Sequence, residues 1–209
     1  RKEIEALKGL YPDLGGLLVM DETATLRKSH LKGFAEAIGD QDLAYVLSTR
    51  GDVLDDEKLR MLKESGCFEI KFGLETGSAE LLGKMRKKLD LDAMKDALRL
   101  TKKHGIQTKV FLMHGFPGEN LETTRETIKL LQEMRSFIDR AVVYRFTPLP
   151  GSPIFEEGEN MGVHVDGKDF QQFTIYDNSH HWWGSESDYQ EVLEGFKMLN
   201  DFVSENFRR

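Results

Sequence analysis

FEIKFGLETGS, residues 68–78, decides how this chain is read. A short apolar run ends in small and polar residues and leads into a helical pattern, the form of a parallel strand entering a loop over a binding site. VFLMHGFPGEN, residues 110–120, repeats that form about forty residues later. Working outward, helical patterns at 2–10, 26–38, 55–65, 78–86, 91–104 and 121–136 alternate with apolar runs at 17–20, 44–48, 68–73, 107–113 and 141–146. Gly66 and Gly105 stand just past two of the helices, where a left-handed residue ends a helix at little steric cost. Strict alternation with short connections implies parallel strands joined by right-handed crossovers, in a barrel or a doubly wound sheet. After Pro153 the pattern breaks, and 153–186 reads as irregular before an amphipathic helix at 188–206 that turns Val192, Phe196, Leu199 and Val203 inward.

The first strand-to-helix turn carries Asp21, Glu22 and Thr23 instead of GxGxxG, so the dinucleotide fingerprint is absent. Polar residues collect at the strand ends: Asp21 and Glu22, Thr49 and Arg50, Glu75, His114, Arg145 and Thr147. The mouth of a parallel barrel supplies such a ring. The chain has 209 residues, 39% hydrophobic and 31% charged, enough apolar material for a sizeable core. A net charge of -7 without a clustered basic run gives no electrostatic footprint for nucleic acid or an anionic membrane. No apolar stretch approaches the roughly 20 residues of a membrane span, and RKEIEALKGLY at the start lacks a signal-peptide core, so a cytoplasmic setting is expected. Cys67 is the one cysteine, which leaves no disulfide framework and no cysteine-based metal site within the chain. It enters an apolar strand and reads as a buried small hydrophobe.

Together with LLVMDET at 17–23, LSTRGD at 47–52 and YRFTPLPGSP at 144–153, the two opening motifs resemble the core of the radical S-adenosylmethionine enzymes. The branch resembled is that of the anaerobic magnesium-protoporphyrin monomethyl ester cyclases, whose members often carry a cobalamin-binding domain. The resemblance implies a partial (β/α) barrel of parallel strands over residues 1–155 with the family's first strand missing, and a C-terminal helical extension over 156–209. It implies S-adenosylmethionine, a [4Fe-4S] cluster, cobalamin in some members, and an electron donor such as flavodoxin or ferredoxin. In the family the reduced cluster cleaves the cofactor to a 5'-deoxyadenosyl radical. The family's CxxxCxxC motif is absent from these residues, so the chain is expected to be a piece of a longer protein, inactive alone, that starts in the helix after the cysteine loop. The exposed edge left at 17–20 is expected to recruit a second chain or be covered by the N-terminal segment.

The same resemblance assigns candidate cofactor contacts. Asp21 and Glu22 stand where the methionyl amine is held, or else Asp21 or Thr23 caps the following helix. Arg50 suits a carboxylate, or pairs with Asp52. Glu75 points away from Phe68, Ile70 and Phe72, with Glu69 and Lys71 deeper on its face as an internal ion pair. Ser78 opens a helix N-terminus. Phe111, His114, Gly115, Phe116 and Arg145 are expected near the adenine, with His114 as a hydrogen-bonding wall residue. His180 to Trp183 read as lid or core packing. Readings from other classes are a Schiff-base aldolase using Lys71 or Lys109, a glycosidase pairing Glu75 with Asp21 or Glu22, and a binding module without a cluster.

Overall fold

The computed structural model describes residues 1–21, 24–163 and 189–207. Five strands form one sheet in chain order: β1 Gly16–Val19, β2 Ala44–Thr49, β3 Cys67–Glu75, β4 Gln107–His114 and β5 Arg140–Arg145. Helices α1 Lys2–Leu10, α2 Lys28–Ile38, α3 Asp56–Glu64, α4 Ala79–Lys84, α5 Leu91–Lys103 and α6 Leu121–Glu133 alternate with them. The short α7 Pro153–Glu156, a 3₁₀ turn at Gly158–Met161 and the long α8 Tyr189–Asn206 follow. α7 and the 3₁₀ turn lie in the stretch read as irregular; they are too short for periodicity to reveal. β1 pairs with β2, and β2 with β3, in parallel. Among the described residues β1 has β2 as its one neighbour in the sheet, with Leu18 half-exposed and Met20 exposed.

Contacts group the chain into two compact units. The first comprises Arg1–Gly73, Asp90–Val110 and Ser136–Arg140; the second comprises Leu74–Leu89, Phe111–Arg135 and Ala141–Arg209. In the first unit, α5 turns Met94, Ala97, Leu98 and Thr101 into the core, as its periodicity predicts. Asp90 caps it by accepting from the amides of Asp92 at 2.8 Å and Ala93 at 3.2 Å. Asp55 caps α3 by accepting from the Lys58 amide at 2.8 Å. Gly66 and Gly105 adopt φ of +100° and +67°, confirming them as helix stops.

Strand β3 corrects two readings. The register between β2 and β3 shifts after Tyr45, which pairs with Cys67 while Val46 pairs with Glu69. Phe68 is therefore the extra residue of a β-bulge, about half exposed instead of packed with Ile70 and Phe72, which are fully buried. A period-2 pattern carries no sign of an inserted residue. Glu69 is 1% exposed, and its ion-pair partner is Arg140 of β5, with Nη1 3.1 Å from Oε2, and not Lys71. β5 lies on the far side of β4 from β3, so the pair spans the intervening strand, a contact that spacing along β3 does not reveal.

In the second unit, α6 buries Thr123, Thr124, Thr127, Leu130 and Leu131, with Met134 just beyond, whereas the larger apolar Leu121 and Ile128 are only half-buried. The threonine hydroxyls donate to carbonyls of the preceding turn, Thr124 to Asn120 at 2.8 Å and Thr127 to Thr123 at 3.1 Å, so their burial strands no polar atom. α8 buries Val192, Leu199 and Val203 as predicted, with Gly195 taking the fully buried place expected of the half-buried Phe196.

Asp90→Ala should lower the unfolding free energy by about 1 kcal/mol, because two amides of the first turn lose their acceptor. Urea unfolding measures it; an unchanged midpoint at constant slope would exclude the cap as a source of stability.

Candidate cofactor-binding site

The loop after β3 is fastened to the threonine face of α6. The Gly77 amide donates to Thr127 Oγ1 at 2.9 Å, the hydroxyls of Thr76 and Thr127 are 3.0 Å apart, and the Ser78 amide donates to Thr76 Oγ1 at 3.1 Å. Gly77 lies so near the helix that a Cβ there would come within 2.7 Å of the Thr127 Cα. Glu75, the last residue of β3, is held at φ +65°, a left-handed conformation uncommon outside glycine. Its partly exposed carboxylate accepts from Lys87 Nζ, which is its ion-pair partner. Three residues on, Ser78 is 1% exposed and its hydroxyl has no hydrogen-bond partner among the described residues. Buried hydroxyls rarely remain so, and an orphan of this kind marks a place for a ligand or an ordered water.

The GFPGE turn after β4 is closed by its own glutamate. Gly115 and Gly118 take φ of +93° and +92°. The Glu119 carboxylate accepts from the Gly115 amide at 3.4 Å and from the Thr123 hydroxyl at 2.8 Å. Asn120 then caps α6, accepting from the amides of Glu122 and Thr123 within a capping box. Glu119 is 1% exposed, and burial pushes its carboxyl up to about 7 against the two hydrogen bonds, which favour the ionised form. Glu119 and the threonines were legible only as the end of a turn motif and as helix residues. The one sequence signal joining them is the four-residue spacing of Glu119 and Thr123.

His114 faces the helices. Its Nε2 is 2.9 Å from Thr124 Oγ1, and its ring meets that of Phe196 edge-on with centroids 5.9 Å apart. Since the Thr124 proton is directed to the Asn120 carbonyl, Nε2 carries the ring proton, and Nδ1 is a buried acceptor without a partner among the described residues. Burial, with the Arg145 charge adding to it, lowers the imidazole to about 3. His114 Nε2 lies 3.9 Å from Glu119 Oε1. They do not form an ion pair, because one is charged only below about 3 and the other only above about 7. The Arg145 guanidinium lies 4.4 Å from the centre of the Phe196 ring, with its Nε buried and unpartnered among the described residues. Phe116 is core, edge-on to Phe146 at 5.1 Å. Phe111, half-buried on the opposite face of β4 from His114, packs against Tyr144 at 5.8 Å.

In the first unit Asp21 is exposed and lines an open depression of about 620 Å³ with Leu26, Arg27, Ser29 and His30. It does not cap α2, whose N-cap is Arg27 and which has no side-chain cap. Arg50 engages Asp52 through Nε at 2.9 Å and Nη2 at 2.6 Å, the ion pair weighed as the alternative to a carboxylate ligand. Glu22 and His180 to Trp183 lie outside the described residues.

A model of the radical SAM superfamily matches residues 1–131. This chain belongs to the radical SAM superfamily. It is 30% identical over 177 residues to the anaerobic magnesium-protoporphyrin IX monomethyl ester cyclase of Rubrivivax gelatinosus, covering 83% of this chain and 31% of the cyclase. It is 27% identical over 165 residues to the hopanoid C-3 methylase of Methylococcus capsulatus, covering 77% of this chain and 30% of that protein. The chain thus spans about a third of the length of these curated relatives. Its fold is similar to that of the radical SAM methyltransferase TsrM of Kitasatospora setae solved with tryptophan and aza-SAM. The TM-score is 0.70 at 17% identity, over 97% of this chain and 45% of TsrM. Coproporphyrinogen III oxidase HemN of Escherichia coli gives 0.69 at 16% identity, over 98% of this chain and 44% of HemN. The expected architecture, a partial (β/α) barrel, is the radical SAM fold.

Radical SAM enzymes use S-adenosylmethionine and a [4Fe-4S] cluster, and they need a reductant; a TsrM structure holds cobalamin as well as the cluster. The residues present do not fit the cluster. Cys67 is the one cysteine, it is buried, and burial pushes its thiol up to about 12. Among the described residues no group of three His, Cys, Asp or Glu side chains could hold a metal. The residues do fit the polar groups of S-adenosylmethionine: a carboxylate at the end of β3, an orphaned hydroxyl beside it, and a glycine-containing turn open to close approach. No helix among the described residues is long and apolar enough to cross a membrane.

The two buried groups at the GFPGE turn have opposed pH linkages. The folded chain keeps the Glu119 proton that the unfolded chain releases above about 4.5, so this group's contribution falls from about pH 4.5 to about 7. Folded His114 stays neutral where the unfolded imidazole is protonated, so its contribution rises with pH up to about 6.5. The two slopes cancel between about 4.5 and 6.5. Glu119→Gln should therefore unmask a rise of about 1.4 kcal/mol per pH unit there. Urea unfolding at pH 4.5, 5.5, 6.5 and 7.5 checks this, and parallel profiles for parent and variant would refute the buried-carboxyl assignment.

Proposed function

We propose that this chain is the cofactor-binding part of a radical SAM enzyme and that Glu75 with Ser78 holds S-adenosylmethionine. The observation that carries the reading is Glu75 itself, a non-glycine residue at φ +65° ending a parallel strand, with the orphaned Ser78 hydroxyl three residues on. Such backbone strain costs on the order of 1–3 kcal/mol and persists where surrounding contacts impose it, most often at functional sites. The Glu75 carboxylate would accept from the methionyl amine or a ribose hydroxyl, in exchange with or alongside Lys87, and Ser78 would donate to a cofactor oxygen. Phe111, Gly115 and Phe116 would border the adenine, with His114 and Arg145 behind the turn as positioning residues on α6 and α8. Asp21, Glu22 and Arg50 remain candidates for the methionyl end. When bound, the cofactor supplies one-electron radical chemistry; these residues supply orientation and charge complementarity.

On this reading the cluster thiolates come from outside these residues, since the chain has a single cysteine. Residues 1–155 form the barrel part and 156–209 the extension that shapes substrate access. A flavodoxin- or ferredoxin-type donor, cobalamin in the whole protein, a cytoplasmic setting and pairing of two chains along the β1 edge belong to the same proposal. The cyclase and methylase relatives support the cobalamin-associated branch.

Titration calorimetry with S-adenosylmethionine tests the site. Glu75→Gln should weaken binding about ten- to a hundred-fold, the loss of a charge-assisted hydrogen bond worth roughly 1.5–3 kcal/mol, and leave the melting temperature within a degree or two. Equal affinity in parent and variant, or no binding in either, overturns the assignment. Equal falls in melting temperature for Glu75→Gln and Lys87→Met would make the pair structural.

A further inference from the structure

The carboxyl that closes the GFPGE turn has two hydrogen-bonding states. Thr123 Oγ1 accepts from the Asn120 amide at 3.0 Å and has one proton to give, with Glu119 Oε1 at 2.8 Å and the Asn120 carbonyl at 2.9 Å both in range. With Glu119 protonated, its O–H donates to Thr123 Oγ1, the Thr123 proton goes to the Asn120 carbonyl, and Glu119 Oε2 accepts from the Gly115 amide at 3.4 Å. With Glu119 ionised, the Thr123 proton turns to Oε1. The Asn120 carbonyl tolerates that loss, because it keeps the Thr124 amide at 3.0 Å and the Thr124 hydroxyl at 2.8 Å. The swing of one hydroxyl therefore follows the proton on Glu119.

What the ionised state lacks is a cation. Burial acts most strongly on Glu119, against its charge, and the Thr123 and Gly115 hydrogen bonds act for it; no cationic group among the described residues joins them. The groups around the turn are His114 of β4, 3.9 Å from Glu119; Lys84 of α4, whose chain leaves no room for a Cβ at Gly118 and which pairs with Glu80 at 3.3 Å; and Glu191 of α8, which accepts from the Leu121 amide at 2.9 Å. Arg145 of β5 acts on His114, which stays neutral above about 3 and supplies no charge. A buried anion held by two neutral donors is unstable against its hydrated form. We infer that the GFPGE turn is a proton-operated latch: protonated Glu119 keeps it closed on α6, and loss of that proton to water draws the carboxylate towards solvent and releases the Gly115 amide. On the cofactor assignment this turn borders the adenine, but the latch is read without cofactor, so either can fail without the other.

Amide hydrogen exchange followed by NMR tests the latch in the full chain without added cofactor. The protection of the Gly115 amide, taken relative to an unstructured chain at the same pH, should fall about tenfold from pH 6 to pH 8, the change in protonated fraction across a midpoint of about 7. The Glu119 carboxyl carbon should titrate with the same midpoint, a readout on the parent that needs no variant. In Glu119→Gln the Gly115 protection should be equal at both pH values, while that of Leu112 within β4 matches the parent's and shows that the variant is folded. Equal Gly115 protection in the parent at pH 6 and pH 8, a pH dependence that survives Glu119→Gln, or a carboxyl that titrates apart from the loss of protection overturns the inference.

Discussion

The loops that carry the proposed chemistry depend on one run of threonines. Thr123, Thr124 and Thr127 make α6 a helix whose inward face is small, β-branched and hydrogen-bonding. Thr127 holds the loop after β3 through the Gly77 amide and Thr76. Thr123 holds the GFPGE turn through Glu119, and Thr124 holds the ring of His114. Leucine at these positions would fill the same space with no acceptor or donor, removing the acceptor of the Gly77 amide and one of the two donors to Glu119 where burial makes that costly. The face is stable because Thr124 and Thr127 also satisfy their hydroxyl protons within the helix, by the bond back to the preceding turn, while Thr123 donates to Glu119.

Charge is sorted by strand face. Towards the helices, where water is excluded, burial leaves His114 neutral and disfavours the charge on Glu119, and the cation of Arg145 rests on the Phe196 ring. On the opposite face of the first unit Lys71, Lys109 and Arg140 retain partial exposure, and the charge of Lys109 is disfavoured first by burial and then by Arg140. The bulge at Phe68 sets this arrangement in β3: beyond it Ile70, Phe72 and Leu74 face inward to the helices while Glu69, Lys71 and Glu75 face the other way. Period-2 alternation fixes the rest.

Much of this was legible in the sequence. The five strands, the helices between them and the buried stripe of α5 follow from periodicity, because a face packed on a core must be apolar at the spacing of its element. Caps at Asp55 and Asn120 and the stops at Gly66 and Gly105 follow from backbone chemistry that acts within a few residues. The motifs around Glu75 and the GFPGE turn pointed to the radical SAM superfamily, which the family match bears out.

Tertiary structure alone decided the partners. Glu69 pairs with Arg140, two strands away across β4, where Lys71 of its own strand was expected, and Glu75 pairs with Lys87 beyond α4; neither contact follows from spacing along one strand. The exposure of Phe68 required the register shift, which leaves no trace in composition. The perturbed groups Glu119 and His114 owe their state to desolvation by α6 and α8, helices that start at Leu121 and Tyr189. Sequence determined which residues could face a core or end a strand, since those are local properties of the backbone; which charges meet and which are stripped of water depends on packing between segments distant in the chain, and that the fold alone decided.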